Sequence, residues 1–235
     1  MRKLGLIGGM SWYSTRTYYE HINRLVQKRV GQRHSAPLLI ESLDFQDLQR
    51  LSTADEWKEA AKTLAQSARR LEKAGATAII IGANSMHKVH ADVQKAVDVP
   101  VIHIAECVAE RVAQDKRSKV ALIGTRNVML ESFYRQKLIE RDIELLPPEI
   151  AFVDSLDRII YNELLLGKVS RQAERELKTI LTNLGQDGAQ AVVLGCTELE
   201  MLVDVDAAVL PLYDCTRIHA EAAAEWILGE ATPGE

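Results

Sequence analysis

Cysteine is scarce in this chain of 235 residues: there are three, Cys107, Cys196 and Cys215. An odd, sparse count argues against a disulfide framework and for a reducing compartment. No CxxC pair or His/Cys cluster has metal-ligand spacing, so no metal is expected. Aromatic residues make up 5%, which leaves little for stacking nucleic-acid bases. The net charge is −4, which offers no attraction for nucleic acid or an anionic membrane. No apolar run approaches the ~20 residues that span a bilayer. The first apolar stretch, Leu4 to Gly8, is too short for a secretory signal. No Gly-, Ser- or Pro-rich linker interrupts the chain. These absences point to a soluble cytoplasmic protein whose partner is a small molecule, with neither nucleic acid nor membrane involved.

What is present is a near repetition. Residues 75–85 read Gly-Ala-Thr-Ala-Ile-Ile-Ile-Gly-Ala-Asn-Ser, and residues 188–198 read Gly-Ala-Gln-Ala-Val-Val-Leu-Gly-Cys-Thr-Glu. Lys3-Leu-Gly-Leu-Ile-Gly-Gly is echoed by Lys119-Val-Ala-Leu-Ile-Gly-Thr at a similar spacing. Two matches at nearly one offset suggest a duplicated half. Several runs, such as Ala-Ile-Ile-Ile and Ala-Val-Val-Leu, are apolar throughout, as strands buried on both faces of a parallel sheet are. Strands are predicted at 3–7, 37–42, 78–81, 100–104, 119–123, 143–146, 191–194 and 208–212. Helices are predicted at 15–30, 54–74, 87–96, 107–116, 128–141, 154–166, 170–185 and 216–229. This βαβα alternation predicts an α/β fold. We expect two similar doubly wound parallel-sheet lobes related by pseudo-twofold symmetry, with the active site in the cleft between them. The first lobe is expected to hold residues 1–104 and 213–235, including a returning C-terminal helix, and the second residues 105–212.

Ligands of open parallel sheets bind beyond the carboxyl ends of the strands. Four such ends carry polar or glycine residues: Gly8-Gly9-Met10-Ser11, Gly82-Ala83-Asn84-Ser85, Gly124-Thr125 and Gly195-Cys196-Thr197-Glu198. Glycine lets backbone amides approach an anion, so together they suit a small carboxylate-bearing molecule. Cys196 is the sharpest candidate. A helix starting at Thr197 would lower its pKa and favour the thiolate. A buried cysteine acting as a small hydrophobe is the alternative. Asn84 and Ser85 suit a substrate carboxylate or a helix cap, and Glu198 could orient the thiol. His87 and His90, three residues apart, read as capping or solvent-facing.

Gly-Leu-Ile-Gly-Gly-Met-Ser-Trp at 5–12, Ser-Met-His-Lys at 85–88, Leu-Ile-Gly-Thr-Arg at 122–126, Phe133-Tyr134, Gly-Cys-Thr-Glu at 195–198 and Ile-His-Ala-Glu at 218–221 resemble the aspartate/glutamate racemase superfamily, in its amino-acid racemase branch. The resemblance spans essentially the whole chain. It implies a pyridoxal-phosphate-independent, cofactor-free enzyme that moves the Cα proton of an acidic or small amino acid between two cysteines on opposite faces. A homodimer is a further implication. Met10, Ser11, Asn84, Ser85, Thr125, Thr197 and Glu198 fall at pocket positions, and Lys168 and Arg50 are candidates for a distal carboxylate.

The chain departs from the pattern where the family reads Cys-Thr-Asn-Thr. Anchoring on Asn84 puts Gly82 at the first-cysteine position, whereas the internal repeat puts Ala83 opposite Cys196. Either way the first thiol is missing, and a single thiol serves only one face of a carbon. Three routes stay open. Another group, such as Ser85, His87 or water, supplies the second acid; or the chemistry is one-sided, as in a decarboxylase or isomerase of a small dicarboxylate; or the protein binds an amino acid without turning it over.

Overall fold

The computed structural model describes residues 1–203 and 208–229. The chain divides into two compact units, residues 1–103 with 219 onward, and residues 104–218.

The first unit contains β1 (Leu4–Gly8), α1 (Trp12–Val30), β2 (Leu38–Ser42), α2 (Ala54–Lys73), β3 (Ala78–Ile81), α3 (His90–Gln94) and β4 (Val101–Ile102). Its parallel sheet has the order β2-β1-β3-β4. The second unit contains α4 (Ile104–Gln114), β5 (Lys119–Gly124), α5 (Arg126–Leu130), α6 (Ser132–Ile139), β6 (Glu144–Leu145), α7 (Ile150–Asn162), α8 (Arg171–Gln186), β7 (Ala191–Gly195) and β8 (Leu212–Asp214). Its sheet, also parallel, has the order β6-β5-β7-β8. The two orders are equivalent, which gives the sequence repeat a structural meaning. Helix α9 (Cys215–Leu228) begins in the second unit and ends in the first.

The unbroken apolar strands follow from helices on both faces of each sheet. In the first unit Leu4, Leu6, Ala78 and Ile80 pack against Tyr18, Ile22 and Val26 of α1 and Ala220, Ala223 and Ile227 of α9. Ile7, Ile79 and Ile81 point the other way, into a cluster with Leu64, Ala68 and Leu71 of α2. In the second unit Ala121, Ile123, Val192 and Leu194 pack with α7 and α8, while Val120, Leu122, Ala191 and Val193 pack with α4 and α6. Each fully buried Leu or Ile contributes roughly 1.5–3 kcal/mol.

Local signals set the ends. Helix α2 starts with a capping box in which the Thr53 hydroxyl accepts the Glu56 amide and the Glu56 carboxylate accepts the Thr53 amide. Those bonds draw the Glu56 pKa down to about 2. Gly75 and Gly188, after α2 and α8, have φ of 95° and 91°, where a side chain is strained.

Several expectations are corrected. The helix over 128–141 is two helices, because Glu131 adopts extended φ and ψ of −85° and 158°. The helix over 87–96 is a 3-10 turn (Ser85–Val89) followed by α3. Helix α7 starts at Ile150 instead of 154, two residues beyond Pro147-Pro148. The strand expected at 208–212 lies at Leu212–Asp214. Pro211 has no amide to donate and enters the ladder only through its carbonyl, which accepts from Val192. Because β8 pairs with β7, Tyr213 and Asp214 go with the second sheet, where the sequence reading placed them in the first lobe. Residues 204–207 and 230–235, parts of the two expected lobes, lie outside the described residues.

Candidate active site

In the first unit, two polar segments leave adjacent strands, β1 and β3. The Gly8–Ser11 turn is tight. Gly9 has φ of 87°, and a Cβ there would stand 2.1 Å from the Leu43 carbonyl oxygen, so only glycine fits. Its amide does not await an anion, as the glycine pair had suggested: it donates to Thr15 Oγ1 at 2.7 Å. Thr15 Oγ1 in turn donates to the Ser11 carbonyl. Ser11 stands at the N-cap position of α1 without a side-chain cap bond and is buried, with its Oγ 3.5 Å from that of Ser14. Met10 is a core side chain in the α2-facing cluster.

Asn84, after β3, is 4% exposed, and both its side-chain oxygen and nitrogen lack a hydrogen-bond partner. An unsatisfied buried amide costs about 1–3 kcal/mol, so a group in this position suits a polar ligand. Ser85, half-buried, opens the 3-10 turn.

The histidines correct the capping reading. His87, His90, His103 and His219 form one cluster. His87 lies 4.8 Å from His103, 5.6 Å from His219 and 6.1 Å from His90 between ring centroids. His219 Nε2 donates to the Ile102 carbonyl, and its Nδ1 accepts from the Tyr18 hydroxyl at 2.9 Å. His90 Nε2 donates to the Val101 carbonyl at 2.7 Å. Burial, then the neighbouring His103, His219 and His90, hold His87 well below the usual histidine range. Burial draws His219 down to about 4. His87 and His219 are therefore neutral at pH 7. Single positions in the sequence did not reveal the cluster, although four of the six histidines take part.

The cluster predicts an acid limb in stability. An unfolded histidine binds its proton near pH 6.5, whereas folded His219 resists until about 4. Stability is therefore complete above pH 6.5 and falls as the pH drops from there toward 4. His219 alone accounts for about 3 kcal/mol. Urea unfolding at pH 7 and pH 4.5 checks this, and His219→Gln should flatten the slope. Equal slopes for the two proteins would refute it.

In the second unit the ends of β5 and β7 are adjacent, with Gly124 paired to Gly195. Thr125 stands at the N-cap position of the short α5, and its Oγ1 is buried without a hydrogen-bond partner. Cys196, 7% exposed, donates to Glu198 Oε2 at 3.2 Å, and the Thr197 hydroxyl donates to the same oxygen at 2.6 Å. The three residues thus form one hydrogen-bonded group built around a buried carboxylate.

Here the thiol expectation is overturned. Cys196 precedes a three-residue 3-10 turn, Leu199–Met201, with no helix dipole to draw on. Burial first, and then the Glu198 charge, push its pKa well above the ordinary thiol value. At neutral pH the group is a thiol that donates to a carboxylate. The other cysteines are structural. Burial raises Cys107 to about 12, and buried Cys215 lies 3.0 Å from the Tyr134 hydroxyl.

The sheets also decide which residue corresponds to Cys196. Ile81 pairs with Ile7, and Leu194 with Ile123. Ile79, Ile81 and Ala83 point into one cluster, just as Val192, Leu194 and Cys196 point into its equivalent. Within the chain the counterpart is Ala83, as the internal repeat has it, and Gly82 matches Gly195. A Cβ on Gly82 would face Leu6 Cδ1 at 3.2 Å and Tyr18 at 3.7 Å, on the opposite face of the sheet.

Arg50 and Lys168 are both exposed loop residues. Arg50 has φ of 54° between β2 and α2, and Lys168 follows the left-handed Gly167 between α7 and α8. Among the described residues no group of three or more His, Cys, Asp or Glu is placed to hold a metal ion, and no helix is long and apolar enough to cross a membrane.

The sequence model of Asp/Glu/hydantoin racemases matches residues 7–223. The chain belongs to this family. It is 21% identical to the broad specificity amino-acid racemase RacX of Bacillus subtilis (strain 168), over 96% of this chain and 98% of RacX. Among solved structures it is similar to a provisionally assigned Asp/Glu racemase from Yersinia pestis, with 39% identity, a TM-score of 0.89, and 97% of this chain and 100% of that one covered. An aspartate racemase homologue from Pyrococcus horikoshii OT3 shares 31% identity with a TM-score of 0.84, over 97% of this chain and 100% of its own. Between the two units of this family member, an alanine stands at the register counterpart of Cys196.

Proposed function

We propose that this chain is an amino-acid racemase that needs no pyridoxal phosphate and acts on an acidic or small amino acid through Cys196. The observation that carries the reading is the Cys196–Glu198 pair, a buried thiol hydrogen-bonded to a buried carboxylate at a strand end. Family membership and the likeness to RacX support it.

The pair supplies both halves of a proton cycle. As a thiol, Cys196 donates its proton to a carbanion at Cα and becomes a thiolate. In the reverse direction the thiol first passes its proton to Glu198 Oε2, and the thiolate then takes the Cα proton. Since burial favours the neutral thiol, transfer to Glu198 is the step that arms the base. Thr197, which donates to the same oxygen, steadies the carboxylate, a different role from the substrate contact assigned to it from sequence. Asn84, with two unmatched polar atoms, and Ser85 are the groups for a substrate carboxylate. Thr125 offers a further unmatched hydroxyl. Lys168 and Arg50 stay as distal-carboxylate candidates.

The second face needs an acid that is not a cysteine. His87 does not suit this role directly: burial keeps the ring neutral, and its single N–H proton, on Nδ1, is engaged by the Ala83 carbonyl. A water or Ser85 remains. The alanine at position 83 also favours a second reading, one-sided decarboxylation or isomerisation of a small dicarboxylate, in which Cys196 delivers a single proton.

The test is incubation with L- and D-aspartate, L- and D-glutamate and other amino acids in D2O. NMR follows loss of the Cα proton, and chiral chromatography follows configuration. Exchange with inversion supports the racemase. Exchange with retention supports one-sided chemistry. No exchange with any amino acid sinks the racemase reading and sends the search to malonates and other small diacids.

A further inference from the structure

The 3-10 turn after β3 carries Asn84, yet Asn84 makes no side-chain bond that would hold it in place. Its orientation must therefore come from the backbone around it. His87 supplies that constraint twice. Its backbone amide donates to the Asn84 carbonyl at 3.1 Å. Its Nδ1 lies 3.0 Å from the Ala83 carbonyl oxygen. A carbonyl only accepts, so the proton sits on Nδ1, and the tautomer is fixed. The ring is 2% exposed and is packed by His103, His219 and His90. It has little freedom to turn away.

We propose that His87 is a positioning residue: through its Nδ1–H bond to the Ala83 carbonyl it fixes the turn that presents the Asn84 amide to the substrate carboxylate. The proposal rests on the racemase reading for the identity of the ligand. The geometry also separates this role from proton transfer. His87 acts on the backbone of residues 83 and 84 and reaches the substrate only through them.

Three substitutions distinguish a donor from a filler of space. The amide nitrogen of His87→Asn falls where Nδ1 does and can still donate to the Ala83 carbonyl, although Asn is smaller than His. His87→Gln and His87→Leu match the volume better, but neither puts a donor at that point. A positioning role predicts that His87→Asn stays within about threefold of the wild-type KM. His87→Gln and His87→Leu should raise KM about tenfold or more, with kcat changed far less, as expected for loss of one bond to a buried carbonyl. A packing role predicts the reverse order, with Asn worst. That order, or equal KM values for all three folded variants, would overturn the proposal.

A readout without turnover keeps the two readings separable. The Asn84 side-chain NH2 resonances of labelled protein should match wild type in His87→Asn and shift or broaden in the other two. If wild type exchanges no amino acid while these resonances follow the expected order, the racemase reading fails and the turn assignment stands. If wild type turns over and Asn84 is indifferent to all three changes, the positioning role fails alone.

Discussion

Cys196→Ser should lower Cα proton exchange by about 10³-fold at saturating substrate. A hydroxyl is a far weaker acid than even the raised thiol, and a positioned acid–base group is worth roughly 10²–10⁴-fold. The substitution is otherwise mild. Serine is smaller than cysteine, and its hydroxyl can donate to Glu198 Oε2 as the thiol does. The melting temperature should hardly move, so lost exchange would report chemistry and not unfolding. NMR in D2O at matched protein concentration, with a melt alongside, makes the measurement. Exchange within tenfold of wild type would remove Cys196 from the mechanism. Loss of inversion with residual exchange would instead point to a second group doing one half of the work.

The second large effect comes from giving the first unit a thiol. Ala83→Cys puts sulfur at the register counterpart of Cys196, and inverting exchange should rise about 10²-fold if the missing second acid limits the rate. Gly82→Cys is the control. Its Cβ would sit 3.2 Å from both the Ile7 carbonyl oxygen and Leu6 Cδ1, and overpacking of this kind costs about 1–3 kcal/mol. It should therefore lower stability without adding inversion. Chiral chromatography and thermal melts on the two proteins decide between the positions. A gain at residue 82 with none at 83 would show that the sheet register is the wrong guide.

Much of this fold is legible in the sequence. The wholly apolar Ala-Ile-Ile-Ile and Ala-Val-Val-Leu runs imply strands covered on both faces, and they are β3 and β7. The repeat implies two similar units, and their sheets share one order. Residues at the strand ends could be named, because position beyond a parallel strand follows from topology. Their states could not. Whether Cys196 is a thiolate depends on burial and on where the nearby Glu198 carboxylate points, which the letters alone do not give. The Gly9 amide looked available because its acceptor, Thr15, lies six residues on and across a turn. The histidine cluster joins residues from 87 to 219, a span that no local pattern can register. Gly82 and Ala83 differ by one step in the pleat, and only the pairing of β3 with β1 resolves that step.

The route of the chain has a consequence for how the protein is made. The second unit is continuous from residue 104 to 218, while the first is interrupted by it and takes up α9 only from 219 onward. The faces of Leu4, Leu6 and Ile80 pack against Ala220, Ala223 and Ile227, which are synthesised only after the whole second unit. On the ribosome, the sheet of the first unit therefore emerges before the second unit but is completed after it, once the whole of that later unit has had the chance to fold. Until then one of its apolar faces lacks part of its cover, which makes this face the surface most in need of protection during synthesis.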